Sequence, residues 1–164
     1  CVRTRRGRIV TESVPELRGL AEEVPRGTVL DGELVAGQGR ASDFYRLGPQ
    51  MARRRRPPQG LTFVAFDVLH LAGQQVTGLA WAQRRQLLEV LELNGAAWCT
   101  VPTFDSDPQV VLEACAHHEL EGLVAKRTDA IYEPGRRSRC WVKMKTADWR
   151  HLHADRRHEP VRRN

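Results

Sequence analysis

The chain has 164 residues, 41% of them hydrophobic, and its 26 basic and 20 acidic side chains leave a net charge of +6. That apolar content is enough to bury one domain-sized core, and the basic balance suits a polyanionic partner such as nucleic acid. The four cysteines show no CxxC spacing, which argues against a zinc ribbon or disulfide framework and fits a reducing cytosol. No apolar run approaches membrane-spanning length and no signal peptide is evident, so no membrane partner is expected.

The first third of the chain predicts short elements separated by turns. Residues 1–10 read as a strand interrupted by a basic turn, and an amphipathic helix follows a possible cap at Ser13. Residues 28–36 alternate in polarity and predict a strand, and residues 43–52 predict a short helix. For the arginine-rich loop at 53–58, a solvated connection is one interpretation and phosphate steering is the other.

The rest of the chain predicts longer, more regular elements. They are a central strand at 61–72, an amphipathic helix at 79–93, a short strand at 97–103, a helix opened by the N-cap Asp107, and extended segments at 121–127 and 140–145. Asp67 lies inside the apolar strand, where a buried carboxylate would need a hydrogen-bonding partner. Neither GxGxxG nor GxxxxGK[ST] occurs, which leaves dinucleotide and P-loop folds without support. We expect an α+β domain with mainly antiparallel sheets flanked by helices.

Two carboxylates share one face of the strand at 28–36. Asp31 and Glu33 point the same way as Val29 and Val35, and Gly32 between them allows close approach to the backbone. Such a pair either serves a binding site or faces solvent on a half-exposed sheet.

Lysine is rare in this chain, because 23 of the 26 basic residues are arginine. The three lysines are Lys126, Lys143 and Lys145. Trp141, Lys143 and Lys145 share one face of an extended strand, so two ammonium groups can converge on one phosphate. The alternative is a solvated edge strand whose lysines guard against aggregation.

Four segments, in this order, resemble the nucleotidyltransferase motifs of ATP-dependent DNA ligases. They read LDGEL at 30–34, FVAFD at 63–67, EGLVAK at 121–126 and WVKMK at 141–145, and TRRG at 4–7 resembles the short basic motif after the nucleophile segment. The resemblance covers residues 1 to about 150, and bacterial repair-type ligases are the nearest likeness. It implies a partial ATP-grasp-like nucleotidyltransferase domain. RNA ligases and mRNA-capping enzymes share the scheme more loosely.

The resemblance also implies a reaction with ATP and Mg²⁺ as cofactors. A lysine attacks the α-phosphate of ATP to form lysyl-AMP, AMP passes to the 5′-phosphate of nicked double-stranded DNA, and the 3′-hydroxyl displaces it. The implied roles are neutralisation of the α-phosphate for Lys143 and Lys145, a position near the phosphates for Lys126, metal binding for Glu121, ribose binding for Arg5 and Glu33, and adenine stacking for Phe66. In an ideal strand Glu121 and Lys126 would face opposite ways, so a bulge or turn at 121–122 is needed.

The family's nucleophile lies in a Lys-x-Asp-Gly motif upstream of the position matched by Arg5, and no lysine precedes Lys126. We therefore expect residues 1–146 to be a partial adenylation domain that cannot form enzyme-AMP alone. Residues 147–164 are expected to be a basic C-terminal tail, without the oligonucleotide-binding domain that usually follows. The implied protein is monomeric and acts in DNA repair, recombination or replication in the bacterial cytoplasm, associated with the nucleoid. The alternatives are an RNA ligase or capping-type nucleotidyltransferase, or a non-catalytic nucleic-acid-binding remnant.

Overall fold

The molecule is a computed structural model in which residues 1–36, 60–136 and 138–152 are described. The helix predicted at 43–52 and the arginine-rich loop at 53–58 lie outside those residues. None of the helices in the described part of the chain has the length and apolar content needed to span a bilayer.

The described strands form two sheets. The first contains β1 Val29–Ala36, β2 Leu61–Leu71, β3 Gln74–Gln75, β4 Asn94–Gly95 and β5 Trp98–Thr100, and the second is a hairpin of β6 Gly122–Lys126 and β7 Trp141–Lys145. The first sheet has the order β1-β2-β5-β4, with β3 also paired to β2. Among these strands β2 and β5 run parallel and the other pairs run antiparallel.

Helices flank both sheets, which confirms the predicted α+β class. They are α1 Leu20–Glu23, α2 Trp81–Val90, α3 Pro108–His117 and α4 Ala147–Leu152. Helix α2 packs on β2 and α3 packs on β6. Helix α3 begins as predicted, because the Asp107 carboxylate accepts a 2.7 Å hydrogen bond from the amide of Gln109.

The core lies between the first sheet and α2. Ala65, Val68 and Leu88 are fully buried in it, and Leu30 and Leu34 of β1 pack against its edge. Leu30 and Leu34 therefore share one face of β1, as its alternation predicts, and the structure turns that face toward the core.

The prediction of one amphipathic helix after Ser13 is wrong, because the structure has three short elements there. Two short 3-10 turns, Thr11–Ser13 and Pro15–Leu17, precede the four-residue α1. A Cβ on Gly19 would lie 2.9 Å from the ring of Trp98, so the chain passes directly against that indole. Glycine is also a poor helix former, and packing against Trp98 decides the path of this segment.

Strand β2 does not keep the two-residue alternation expected for a central strand. Its register with β1 passes from the pair Asp31 and Asp67 to the pair Gly32 and Ala65, which skips Phe66. Phe66 is the extra residue of a β-bulge. Asp67 and Val68, which follow the bulge, point to opposite faces and are both buried, Asp67 against Arg84 and Val68 in the core.

The first six residues of the segment predicted as a basic tail form α4. The backbone amide of Trp149 donates to the hydroxyl of Thr146, and the Arg150 guanidinium donates to the carbonyl of Lys145 at 2.8 Å. This helix therefore continues directly from the hairpin.

Candidate functional site

The β6–β7 hairpin brings the three lysines onto one surface. Directly opposed residues in an antiparallel pair point to the same face, and Lys126 opposes Trp141 while Val124 opposes Lys143. Lys145 lies two residues beyond Lys143 and shares that face. The lysines of two separate sequence motifs therefore meet on one side of the hairpin.

Glu121 reaches the same surface through the turn that its spacing required. Gly122 has a φ of +144°, a conformation that side-chain-bearing residues rarely adopt. The backbone carbonyl of Glu121 accepts a 3.1 Å hydrogen bond from the amide of Thr146, and its carboxylate forms an ion pair with Lys145. The turn places the predicted metal ligand beside a predicted phosphate ligand.

The carboxylates of β1 face the hairpin. The phenol of Tyr132 donates a 2.6 Å hydrogen bond to Asp31. Burial is the larger cause and this hydrogen bond the second cause of a raised pKa of Tyr132. Burial lowers the pKa of the Lys145 ammonium, while the negative charge of Glu33 acts to raise it. The Glu33 side chain is exposed, but it lies within electrostatic range of Lys145.

Lys126 is enclosed by aromatic rings. Its ammonium lies 3.9 Å from the ring centroid of Trp141 and 4.8 Å from that of Phe66, and its side chain is 9% exposed. It donates a 3.2 Å hydrogen bond to the carbonyl of Phe66 and lies 4.0 Å from the carboxylate of Asp67. Burial lowers its pKa to about 8, against the opposing effects of Asp67 and Asp31.

Phe66, the predicted adenine-stacking residue, is half-buried beside the hairpin. Its ring meets that of Trp141 edge to face, with centroids 6.3 Å apart. Lys126 covers one side of the Phe66 ring, and an aromatic ring of this kind can stack on a planar base through its other side.

Arg5 lies on the turn near the N-terminus that the TRRG segment forms. It is exposed in a tight turn in which the amide of Gly7 donates to the carbonyl of Thr4 at 2.8 Å. Within the described residues, no hydrogen bond or ion pair joins Arg5 to Glu33. Six of the seven predicted site residues therefore lie on or beside the hairpin face, and Arg5 shows no contact with them in the described part of the chain.

Asp67 has the partner that its burial required, and that partner is Arg84 of α2. The guanidinium donates to both carboxylate oxygens at 2.7 and 3.0 Å, and both side chains are at most 1% exposed. Arg84 also donates to the carbonyls of Leu79 and Ala130. One arginine thus joins β2, the start of α2 and the loop after β6.

Arg84 and Tyr132 are the site residues that the sequence reading did not single out. A signal for Arg84 was available, because it precedes the buried Leu88 by four residues on the core face of α2. A buried charge needs a partner of opposite charge. An arginine on the core face of a helix and an aspartate in an apolar strand are therefore expected to form an ion pair. No comparable signal marks Tyr132, whose partner Asp31 lies 101 residues earlier.

Glu121 could bind a divalent cation only as a single protein carboxylate that acts together with a substrate. In the described residues no group of three or more His, Cys, Asp or Glu side chains could form a protein cage for a metal. Mg²⁺ commonly binds through one or two carboxylates together with substrate phosphates, so a lone glutamate beside phosphate-binding lysines is compatible with it.

Comparison with known proteins gives close relatives. The Mycobacterium tuberculosis LigD, described as a multifunctional non-homologous end joining DNA repair protein, is 40% identical over 146 residues. The match covers 88% of this chain and 18% of that protein. The SPbeta prophage-derived DNA ligase-like protein LigB of Bacillus subtilis is 30% identical over 147 residues, which are 89% of this chain and 53% of that protein.

Solved structures agree. A mycobacterial DNA ligase D complexed with ATP and MES superimposes with a TM-score of 0.69 at 36% identity, and the ligase domain of M. tuberculosis LigD does so with 0.68 at 35%. Each superposition covers 87% of this chain and 46% of the other. The chain therefore spans less than a fifth of the LigD proteins and about half of these ligase-domain chains.

A family model described as the ATP dependent DNA ligase domain matches residues 2–145, which include all four motif segments and the whole hairpin. The chain belongs to the ATP-dependent DNA ligase domain family.

Proposed function

We propose that this chain forms most of the nucleotide-binding face of a ligase that seals nicks in double-stranded DNA through lysyl-AMP and DNA-adenylate. The observation that carries the proposal is the meeting of Glu121, Lys145 and Lys143 on one face of the hairpin, with Glu33 close by. Residues 1–146 are then a partial adenylation domain, and residues 147–164 are a basic C-terminal segment.

Phosphoryl transfer depends mainly on positioning and on neutralising negative charge, and these residues can supply both. Lys143 and Lys145 would contact the α-phosphate, Glu33 and Arg5 the ribose, and the Phe66 ring the adenine. Glu121 would hold Mg²⁺, which supplies further charge neutralisation at the phosphates when bound. In this structure Lys145 pairs with Glu121. When phosphate and metal bind, the Lys145 ammonium would contact the phosphate and the Glu121 carboxylate would contact the metal.

The partners of the proposed reaction are ATP and nicked DNA, and the protein would act as a monomer in the bacterial cytoplasm at the nucleoid. The net charge of +6 favours binding to the DNA backbone. The repair ligases among its relatives favour a role in DNA repair.

Calorimetric titration with Mg·ATP tests the proposal. We expect Glu33→Gln and Lys143→Met each to weaken binding about tenfold or more, because a hydrogen bond to a charged group contributes about 1.5–3 kcal/mol. Glu16→Gln, at an exposed carboxylate on the N-terminal 3-10 turn, and Val142→Thr, on the opposite face of β7, are matched controls expected to bind like the wild type.

Unchanged binding in both site variants would contradict the proposal. Stronger binding of GTP than of ATP would favour a capping-type enzyme. Binding of DNA that falls steeply with salt and ignores ATP would favour a non-catalytic nucleic-acid-binding protein.

The intact mass of the 164-residue chain is expected to stay unchanged after incubation with ATP and Mg²⁺. Lys126 is enclosed by protein, and Lys143 and Lys145 are assigned to the phosphates, so none of the three is placed to attack. An AMP-sized gain that maps to one of these lysines would overturn the assigned roles.

A further inference from the structure

Lys126 belongs to a ligase motif, yet its ammonium is surrounded by groups of the protein and has little contact with solvent. The three rings around its ammonium come from three elements: Phe66 from β2, Trp81 from α2 and Trp141 from β7. At 9% exposure the side chain has little surface left for a phosphate. Lys145 is 24% exposed, and Lys143, on the same face of β7, is also exposed.

The hydrogen bond of Lys126 is made at an interruption in the first sheet. The register between β1 and β2 skips Phe66, and Lys126 donates to the carbonyl of that residue. The same ammonium lies over the Phe66 ring. One side chain from the hairpin therefore contacts both the backbone and the side chain of the bulged residue.

The charges around Lys126 come from several elements. Asp31 of β1 and Asp67 of β2 favour its protonated form, while Arg84 and Arg85 of α2 oppose it. Burial outweighs the two carboxylates and lowers the pKa to about 8. An ammonium kept in a site that disfavours its charge is more typical of function than of stability.

We propose that Lys126 is a positioning residue that holds the Phe66 ring and the β2 bulge in place for the nucleotide base, and that it does not contact phosphate. This inference rests on the proposed function, since it assigns Phe66 to the base. It gives Lys126 a different role from the position near the phosphates that the family resemblance implies.

Adenosine separates the two roles because it has the base and ribose without phosphate. We expect Lys126→Met, which keeps the length of the side chain, to weaken adenosine and Mg·ATP by the same factor, about tenfold. The matched control Lys143→Met should weaken Mg·ATP and leave adenosine binding unchanged. A Lys126→Met variant that loses affinity for Mg·ATP alone, or for neither ligand, would overturn the proposal.

Two further measurements exclude a merely structural role and a failure to fold. The thermal midpoint of Lys126→Met should equal or exceed that of the wild type, because burial opposes the lysine charge; a midpoint that falls together with adenosine affinity would overturn the proposal. In the wild type, NMR signals of the Phe66 ring and the Trp141 indole should titrate with a midpoint near pH 8, and this transition should be missing in Lys126→Met.

These readouts distinguish failure of the two proposals. A wild-type chain that binds neither adenosine nor Mg·ATP would contradict the proposed function, whatever Lys126 does. Ring signals that do not titrate near pH 8 would contradict the role of Lys126, even if both ligands bind.

Discussion

Arg84→Met is expected to destabilise the domain by about 3–5 kcal/mol, the usual result of leaving one member of a buried ion pair without its partner. The variant leaves the Asp67 carboxylate in a site that is 1% exposed. It also removes the donors to the carbonyls of Leu79 and Ala130. The free energy of unfolding of a small domain is about 5–15 kcal/mol, so this loss is a large share of the total stability.

Urea unfolding followed by tryptophan fluorescence measures this effect. Arg18→Met is the matched control, because Arg18 pairs with Glu12 at a site where both side chains are more than two-thirds exposed. That pair is expected to contribute less than about 1 kcal/mol. Equal losses for Arg84→Met and Arg18→Met would show that the buried pair does not stabilise the fold.

A double variant tests the cause of the loss. Asp67→Leu combined with Arg84→Met removes both charges, so we expect it to be more stable than Arg84→Met alone. Recovery should be incomplete, because the carbonyls of Leu79 and Ala130 still lose their donors. If the double variant were the less stable of the two, an unpaired buried charge would not be the cause.

Gly122→Ala is expected to weaken Mg·ATP binding more than tenfold, because it disturbs the turn that places Glu121 beside Lys145. The alanine Cβ would overlap the carbonyl oxygen of Met144 on the paired strand. The φ of +144° adds strain of about 1–3 kcal/mol for any residue with a side chain. Relief requires β6 to move from β7 or the turn to change, and either movement separates the carboxylate from the lysine.

Two other glycine-to-alanine variants distinguish the effect of steric overlap from that of backbone strain. Gly78→Ala has open space and no left-handed φ, and should leave both stability and binding unchanged. Gly135→Ala has open space at a φ of +75°, so it carries the strain without the overlap and should lower stability while largely sparing binding. Calorimetry with Mg·ATP and thermal unfolding supply both quantities. Nucleotide binding by Gly122→Ala at wild-type strength would mean that the turn does not place Glu121.

The positions of most elements follow from local pattern. Apolar alternation predicted β1 and the hairpin strand β7, helical spacing predicted α2, and an aspartate followed by proline predicted the start of α3. These features depend on residues a few positions apart, whose conformational preferences are present in the chain itself. The spacing between Glu121 and Lys126 even required the turn at Gly122, although it did not show that Lys145 would be the partner of Glu121.

Sequence by itself thus determined the fold class, the family and the chemistry of the site's side chains. The tertiary structure decided the partners: Arg84 for Asp67 across 17 residues, the Phe66 carbonyl for Lys126 across 60, and Tyr132 for Asp31 across 101. It also decided the bulge at Phe66 and the path of the chain past Trp98. The physical reason is that burial and pairing energies depend on which surfaces the fold brings into contact, and no local periodicity carries that information.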